Sequence, residues 1–288
     1  MKRLEYFLFL VFVYVIGLMP FAMVYALSGA FYALVFYVFG YRKKVVIDNL
    51  RKAFPEKSKA EIAVLTKAFY HYFADMLLES VKGFTMSKSN IVRRHKLMNP
   101  ELLESYFKKK QSIIGVTAHY GNFEWGTMSS GLQIQHTVVG FYKPLANPYI
   151  DNYIRKSRAK HGTVLSSIYQ TMRTFVHYKK DVCAYLMIAD QNPSNKEKAI
   201  WVDFLGIDTA FLHGPEVYAL KFNYPVIYID IRRVKKGFYE IDLIPLVEDP
   251  SKTQAGEITQ RFAAAIEKRI MQQPAFWLWS HRRWKNSR

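Results

Sequence analysis

The chain of 288 residues contains one cysteine, Cys183, so no disulfide bond can form within it. Cys183 lies in the apolar segment 182–188, which predicts a buried strand, and we interpret the thiol as part of the core. Acidic residues are also scarce, since 23 Asp and Glu stand against 41 Lys and Arg, and the formal net charge is +18. Such a charge predicts a polyanionic partner: nucleic acid, anionic lipid or an acidic carrier protein.

Charge is absent from the whole segment between Tyr6 and Tyr41. The segment is too long for the core of a signal peptide and long enough to cross a bilayer, for which about 20 apolar residues suffice. Pro20 should break or kink a helix in this segment. We therefore predict one membrane span over roughly residues 21–39, with a hairpin of two short passes as the alternative.

Three consecutive cations, residues 42–44, follow this apolar segment directly. Positive residues favour the cytoplasmic side of a membrane span. The predicted organisation is a membrane anchor over residues 1–44 and a cytoplasmic domain over residues 45–288. A protein held at a membrane is a poor candidate for binding nucleic acid, so we predict an anionic membrane surface as a partner instead.

The most informative motif is an apolar run, 113–118, that stops at His119 and is followed by a Gly121–Asn122 turn and then Glu124. The run predicts a buried strand, and the turn predicts the start of a helix. Within one continuous helix, five residues would separate the two side chains by about 140°. Across a strand-to-helix turn they could meet, so the spacing favours an imidazole oriented by a carboxylate.

Such a pair suits proton transfer, because a neutral imidazole accepts a proton near pH 7 and a carboxylate on its far nitrogen selects the tautomer. The chain has no G-x-S-x-G elbow, no H-E-x-x-H helix and no glycine-rich phosphate loop. We therefore predict that His119 activates a substrate hydroxyl directly, with Glu124 holding the imidazole. The alternative is that His119 only caps the next helix and that Glu124 is solvated.

The rest of the chain alternates between strand and helix patterns, which predicts an α/β sheet with helices on both faces and a single domain. Chemistry in such sheets gathers at the carboxyl ends of strands. Asp190 and Gln191 follow a predicted strand as His119 does. The predicted strands are 113–118, 136–141, 182–188, 224–233 and 238–246, and the predicted helices are 58–82, 101–110, 147–160, 168–178, 212–222 and 251–272.

Arg155 and Arg158 lie on the helix that Asn147–Pro148 opens, and we expect them near the same rim. A guanidinium group suits phosphate or carboxylate, so both are predicted to bind substrate. Alternatively, Arg158 pairs with Asp151 on its own helix.

The C-terminal segment 277–285 mixes three tryptophans with basic residues, a composition typical of the headgroup layer of a bilayer.

Taken together, these motifs resemble those of the bacterial lipid A biosynthesis acyltransferases, the late acyltransferases of lipopolysaccharide assembly. The resemblance covers nearly the whole chain, from the anchor and its basic stretch to the C-terminal tryptophans. Its motifs are NLRKAFP (49–55), AHYGNFE (118–124), YKP (142–144), NP (147–148), Arg158 ahead of Gly162, ADQ (189–191), FLG (204–206) and WLWSHRRWK (277–285).

The resemblance implies transfer of a fatty acyl chain from acyl carrier protein to a hydroxyl of a lipid A precursor, at the cytoplasmic face of the bacterial inner membrane. It implies a glycerolipid acyltransferase-like fold, with a central mixed sheet flanked by helices, and no metal or dissociable cofactor. His119 matches the general base of the family and Glu124 its orienting acid. Arg158 and Asp190 match two further positions of the family's site. We also assign Asn122, Gln191 and Arg155 to substrate binding.

Two alternatives remain beside this interpretation. A related acyltransferase could use another glycolipid or phospholipid as acceptor, because the catalytic motif does not select the acceptor. A membrane-anchored basic adaptor that binds anionic lipid would explain the charge but not the histidine motif. We expect a monomer.

Overall fold

The structure is a computed structural model and describes residues 1–285. Within these residues, seven strands form one sheet and two more form a separate hairpin. The strands are β1 (His95–Leu97), β2 (Ile113–Thr117), β3 (Thr137–Tyr142), β4 (Val164–Ser167), β5 (Cys183–Ile188), β6 (Ile200–Phe204), β7 (Ile207–Phe211), β8 (Val226–Lys235) and β9 (Phe238–Val247).

The helices divide into an N-terminal group and a group that flanks the sheet. The N-terminal group is α1 (Lys2–Leu18), α2 (Phe21–Ala33), α3 (Lys43–Ala53) and α4 (Lys59–Gly83). The remaining helices are α5 (Lys88–Arg94), α6 (Glu101–Lys108), α7 (Phe123–Ser129), α8 (Pro148–Ala159), α9 (Thr171–His177), α10 (Gly214–Phe222) and α11 (Glu257–Gln272).

The main sheet has the order β1-β9-β8-β2-β5-β3-β4. All neighbouring strands in it are parallel except β8 and β9, which form an antiparallel pair, so the sheet is mixed. The predicted α/β fold with a central mixed sheet flanked by helices is confirmed. Because β2 lies between β8 and β5, the carboxyl end of the His119 strand is in the middle of the sheet.

The sequence prediction missed the β6–β7 hairpin, and it placed the start of the last helix too early. A capping pattern at residues 251–254 predicted that helix, but Asp249 caps a short 3₁₀ turn over Pro250–Lys252 instead. The helix α11 begins at Glu257, after Gly256 with φ of 85°. Glycine tolerates this left-handed backbone, which lets the chain turn between the two helical segments.

The apolar N-terminal segment is a pair of helices broken at Pro20, as the sequence predicts. The α1 helix ends at Leu18, and Lys82 Nζ donates to the free carbonyls of Gly17 and Met19 at 2.5 and 2.7 Å. One segment, Phe21–Val38, is long and apolar enough to cross a membrane, with a mean hydropathy of 1.8. It comprises α2 and a short π-helical extension.

Polar contacts attach the candidate span to α4. Ser28 donates to Asp75 at 2.6 Å, and Tyr25 donates to the fully buried Glu79 at 2.9 Å. Arg233 of β8 closes the network through a 2.7 Å bond to Asp75. Buried charges persist in proteins when they are paired in this way, so α2 has a defined orientation on the rest of the chain.

Cys183 is fully buried in the main hydrophobic core, as predicted. Burial raises the pKa of its thiol to about 11, because the thiolate would lose its solvation.

Candidate active site

His119 and Asp190 meet because their strands are neighbours. The parallel strands β2 and β5 pair in a register that sets Thr117 opposite Ile188, so the residues that follow each strand leave the sheet together. His119 Nδ1 lies 2.6 Å from Asp190 Oδ1, and the His119 backbone N–H donates to Asp190 Oδ2 at 3.0 Å. The carboxylate therefore fixes both the backbone and the ring of the histidine.

Asp190 is 2% exposed and accepts a further bond from Trp277 Nε1 at 2.7 Å. Burial by itself would raise the pKa of Asp190. The adjacent His119 and the N–H donors of His119 and Trp277 outweigh burial and hold the pKa below its usual range. Asp190 is thus an ionised carboxylate that keeps the proton of the imidazole on Nδ1 and leaves Nε2 as the basic nitrogen.

Backbone hydrogen bonds from the C-terminal segment also hold the turn that carries His119 in position. Leu278 N–H donates to the His119 carbonyl at 3.0 Å, and Gly121 N–H donates to the Phe276 carbonyl at 3.0 Å. Trp277 is therefore placed against Asp190 by backbone pairing as well as by its indole.

The assignment of the C-terminal tryptophans to the headgroup layer of a bilayer is wrong for two of the three. Trp277 and Trp279 are 2% and 0% exposed, because they pack in the core beneath the site. Arg283 is also buried and donates to the Ala210 carbonyl at 2.7 Å. Composition alone does not distinguish such a segment from an interfacial one, since both combine aromatic rings with cations.

The predicted contact between Glu124 and His119 is wrong. Glu124 instead pairs with Arg158, whose Nε and Nη2 donate to its carboxylate at 3.0 and 2.7 Å. The α7 helix begins at Phe123, and this turn directs Glu124 towards α8. The Phe123 ring packs edge-on against the imidazole, with ring centroids 4.8 Å apart, while Asp190 holds Nδ1.

The alternative pairing of Arg158 with Asp151 is also wrong. Asp151 accepts from the Leu145 backbone N–H at 2.7 Å, and so it stabilises the loop before α8. Arg158 instead connects α8 to α7 through its fork-like contact with Glu124, a geometry that suits a guanidinium and a carboxylate.

Asn122 does not lie where it could contact a substrate, so this assignment is wrong. Its side chain is fully buried, its Oδ1 accepts from Trp125 N–H at 3.1 Å, and its Nδ2 donates to Glu79 at 3.0 Å. Asn122 therefore caps the start of α7 and ties it to α4.

Gln191 lies at the centre of the site, and Arg155 lies at its edge. The Gln191 side-chain amide is 3.2 Å from His119 Nε2, so it forms a hydrogen bond with the nitrogen that would accept a proton. Arg155 donates to Asn152 on its own helix at 3.1 Å and lines the opening near His119. The structure brings Asp190, Gln191 and Arg158 together with His119.

Two open grooves reach these residues. We call the first the α8 groove; it passes between α7, α8 and the end of β3, and His119, Lys143 and Arg155 line it. We call the second the membrane-side groove; Phe9 of α1 and Arg42, just beyond the candidate span, line it. The grooves meet at shared lining residues, which are Phe123, Glu124, Ile154, Arg158 and Gln191.

A third cavity lies between the sheet and α7, and its lining is mostly apolar. Ile113, Ala184 and Ile227 contribute to its walls from three adjacent strands. It shares part of its lining with the α8 groove; the common residues are Phe123, Thr127, Phe141 and Ile188. The imidazole therefore faces a groove that borders a hydrocarbon-lined space.

Among residues 1–285, no three His, Cys, Asp or Glu side chains group as metal ligands would. The expectation that the site needs no metal or cofactor stays a prediction.

A histidine held by a buried aspartate, beside an apolar cavity, is the type of site that removes a proton from a hydroxyl group. Comparison with protein families gives the class. The family model for the bacterial lipid A biosynthesis acyltransferases matches residues 1–286, and the chain belongs to this family.

Two relatives are similar to the chain over most of its length. The lipid A biosynthesis lauroyltransferase of Escherichia coli is 23% identical over 270 residues, which cover 93% of this chain and 87% of the relative. The lipid A biosynthesis acyltransferase of Haemophilus influenzae is 22% identical over 250 residues, or 85% and 78% of the two chains. The protein is an acyltransferase of lipid A biosynthesis.

Proposed function

We propose that this protein transfers a fatty acyl chain from acyl carrier protein to a hydroxyl of a lipid A precursor, with His119 as the general base and Asp190 as the residue that orients it. The observation that carries the proposal is the 2.6 Å contact between these two residues, because His119 lines a groove that borders an apolar cavity. Family membership supports the reaction class, and the geometry supports the roles.

In the proposed reaction, His119 Nε2 takes the proton of the acceptor hydroxyl while the hydroxyl oxygen attacks the thioester carbonyl. The new carbon–oxygen bond forms as the carbon–sulfur bond breaks. The imidazolium then returns its proton to the departing thiolate, so no acyl-enzyme forms. Gln191 occupies Nε2 in the free protein, and the acceptor hydroxyl must replace it there.

Negative charge develops on the carbonyl oxygen in this reaction and needs a hydrogen-bond donor to stabilise it. Such a donor typically lowers the activation free energy by about 3–4 kcal/mol. Arg158 is the proposed donor. Its bonds to Glu124 use Nε and Nη2, which leaves Nη1 for the substrate. In this proposal Glu124 positions Arg158 rather than the imidazole, and Arg155 at the groove edge contacts the substrate.

The apolar cavity is the proposed site of the acyl chain. Each buried methylene contributes about 0.8 kcal/mol, so this apolar lining would favour a hydrocarbon chain whose carbonyl lies in the α8 groove beside His119. The shared lining at Phe123 and Phe141 is where the chain would enter from the α8 groove.

The charge of the chain supports two further parts of the proposal, acyl carrier protein as the acyl donor and a location at the membrane. A net charge of +18 favours an acidic carrier, and association steered by charge weakens as salt rises. The candidate span over Phe21–Val38, followed by Arg42, Lys43 and Lys44, supports a single-pass anchor over residues 1–44. The domain over residues 45–288 would then face the cytoplasm at the inner membrane, as a monomer without a metal or a cofactor.

The test is acyl transfer by the purified protein in detergent, with acyl carrier protein thioester and a lipid A precursor. His119→Ala should lower kcat/KM by about 10²–10⁴-fold, the usual contribution of a general base. His177→Ala is the matched control, because this histidine is exposed on α9 away from the site. Near-normal turnover by His119→Ala would overturn the assignment, and an inactive wild-type protein that still binds anionic lipid would favour a basic adaptor.

A further inference from the structure

A strongly basic recess lies at the foot of the candidate membrane span, where the start of α3 meets the C-terminal segment. Among residues 1–285, its lining contains one carboxylate, Asp48, and six cations. We call it the basic recess, and its cations are Arg42, Lys43, Lys44, Lys52, Arg282 and Lys285.

Buried hydrogen bonds bring the two halves of the recess together. Asn49, 5% exposed on α3, donates through Nδ2 to the carbonyls of Trp279 and His281 at 2.8 and 2.7 Å. Arg42 Nη1 donates to the Ser280 carbonyl at 3.1 Å. Residues about 240 positions apart in sequence therefore contribute to one fixed cationic surface, so the site is organised before any ligand arrives.

The six cations of the recess outnumber its carboxylate, and within residues 1–285 none of them forms an ion pair. Lys43 and Lys44 also occupy the first turn of α3, which has no acidic residue. The start of a helix carries a partial positive charge, so cations there are unfavourable unless an anion binds. The arrangement weakens the helix and favours a negatively charged ligand.

The recess lies next to both the candidate span and the membrane-side groove. The span ends at Val38, and the exposed rings of Tyr37, Phe39 and Tyr41 mark the level at which aromatic side chains meet lipid headgroups. Arg42 lines both the basic recess and the membrane-side groove, which reaches Glu124, Arg158 and Gln191. An anion in the recess would therefore lie at the entrance of a path from the bilayer to the base.

We propose that the basic recess binds a phosphate group on the headgroup of the lipid acceptor, while the hydroxyl of the same molecule extends through the membrane-side groove to His119. The proposal rests on the proposed function. A phosphate fits the recess because it is compact and carries concentrated negative charge, which Arg and Lys bind as a charge-assisted donor set. A carrier protein would present a convex surface, which a concave site beside the membrane does not match.

The experiment compares the double variant Arg282→Ala/Lys285→Ala with the wild-type protein in detergent. Two acceptors are used, a phosphorylated lipid A precursor and the same glycolipid after phosphatase treatment. Loss of two charged donors should raise KM for the phosphorylated acceptor by roughly tenfold or more. We expect kcat, and KM for the acyl carrier thioester, to change by less than about twofold, because the variant does not alter the catalytic residues.

Two controls separate charge from structure. Arg282→Lys/Lys285→Arg keeps both charges and should retain most of the wild-type affinity for the acceptor. Lys179→Ala/Lys180→Ala removes two exposed cations at the opposite edge of the sheet, before β5, and should leave KM for the acceptor unchanged. A thermal unfolding midpoint near that of the wild type establishes that the double variant is folded.

Several outcomes would overturn the proposal. They are an unchanged KM for the phosphorylated acceptor, an equal rise for the dephosphorylated acceptor, and a rise confined to the carrier thioester, which would make the recess a carrier-docking surface. Loss of binding to phosphatidylglycerol vesicles with normal KM in detergent would make it a general lipid contact. If only the recess proposal is wrong, the wild-type protein still transfers acyl chains and still requires His119. If the proposed function is wrong, the wild-type protein shows no acyl transfer at all.

Discussion

The two side-chain pairs of the active site, His119–Asp190 and Glu124–Arg158, differ in their surroundings, although His119 and Glu124 are only five residues apart in sequence. The carboxylate of the first pair, Asp190, is 2% exposed and accepts three N–H groups, two of them from His119. In the second pair, Glu124 and Arg158, each side chain is 21% exposed and borders two open grooves. In the first pair, which we call the buried pair, the carboxylate is held by three donors inside the protein, whereas the second pair is half-buried and open to a ligand.

This difference separates two tasks in the proposed reaction. Proton transfer needs a fixed tautomer and a fixed ring, which buried and fully satisfied hydrogen bonds provide. Binding a charged or polarised substrate needs a cation that is accessible to the substrate and fixed in position. The bidentate contact with Glu124 holds the Arg158 guanidinium in such a position.

The largest expected effect comes from Asp190→Asn. An amide at this position presents an N–H to Nδ1 and favours the tautomer that protonates Nε2, so the base is lost. We expect kcat/KM to fall by about 10²–10⁴-fold. Steady-state kinetics measure this, with Asp181→Asn, an exposed aspartate before β5, as the control. A variant that keeps more than a tenth of the activity would contradict the orienting role.

Trp277→Phe tests the buried pair by removing one donor to Asp190 while keeping most of the ring packing. A buried hydrogen bond to a charged group typically contributes about 1.5–3 kcal/mol, and we expect that loss in the free energy of unfolding. The matched control is Trp284→Phe, which removes a 2.9 Å bond to the neutral hydroxyl of Thr209 and should cost about 1 kcal/mol. Equal losses in chemical denaturation would mean that Asp190 does not depend on the indole.

Glu124→Gln tests the half-buried pair formed by Glu124 and Arg158. The glutamine keeps the shape of the side chain but weakens its hold on Arg158, the proposed donor to the charge that develops in the reaction. We therefore expect kcat/KM to fall by roughly tenfold, mainly through kcat. The pH dependence of kcat should keep the shape of the wild type, because Glu124 does not contact the imidazole. If Glu124→Gln is as inactive as Asp190→Asn, the distinction between the two pairs fails.

The smallest expected effect concerns acid stability. Burial lowers the pKa of His281 to about 4, and its Nε2 accepts from Asn192 N–H at 3.0 Å. The unfolded histidine has a pKa near 6.5, so its stabilising contribution is present above about pH 6.5 and is lost as the pH falls through about 4. The lowered pKa of Asp190 keeps that carboxylate ionised over this range. The Tm of His281→Gln should therefore fall less steeply than that of the wild type between pH 7 and pH 4.5. An equal dependence of Tm on pH in the two proteins would mean that His281 is not the source of the acid instability.

Local patterns were enough to predict much of the fold. Apolar runs located the strands that end at His119 and Asp190, and a capping box located the start of α4 at Ser58 and Glu61. Local patterns failed at the start of α11, where a left-handed Gly256 separates two helical segments. They also failed for Asn122, because its partner Glu79 lies on a helix that only the folded chain brings near.

Sequence patterns alone predicted a histidine just after a buried strand, arginine and aspartate residues near it at the same rim, and a resemblance to acyltransferases of lipid A synthesis. Those properties follow from local periodicity and from motifs that are contiguous in the chain. The tertiary structure alone decided which carboxylate holds the histidine. Asp190 is 71 residues from His119 and meets it only because β2 and β5 pair in parallel, whereas Glu124, five residues away, is turned by α7 towards Arg158.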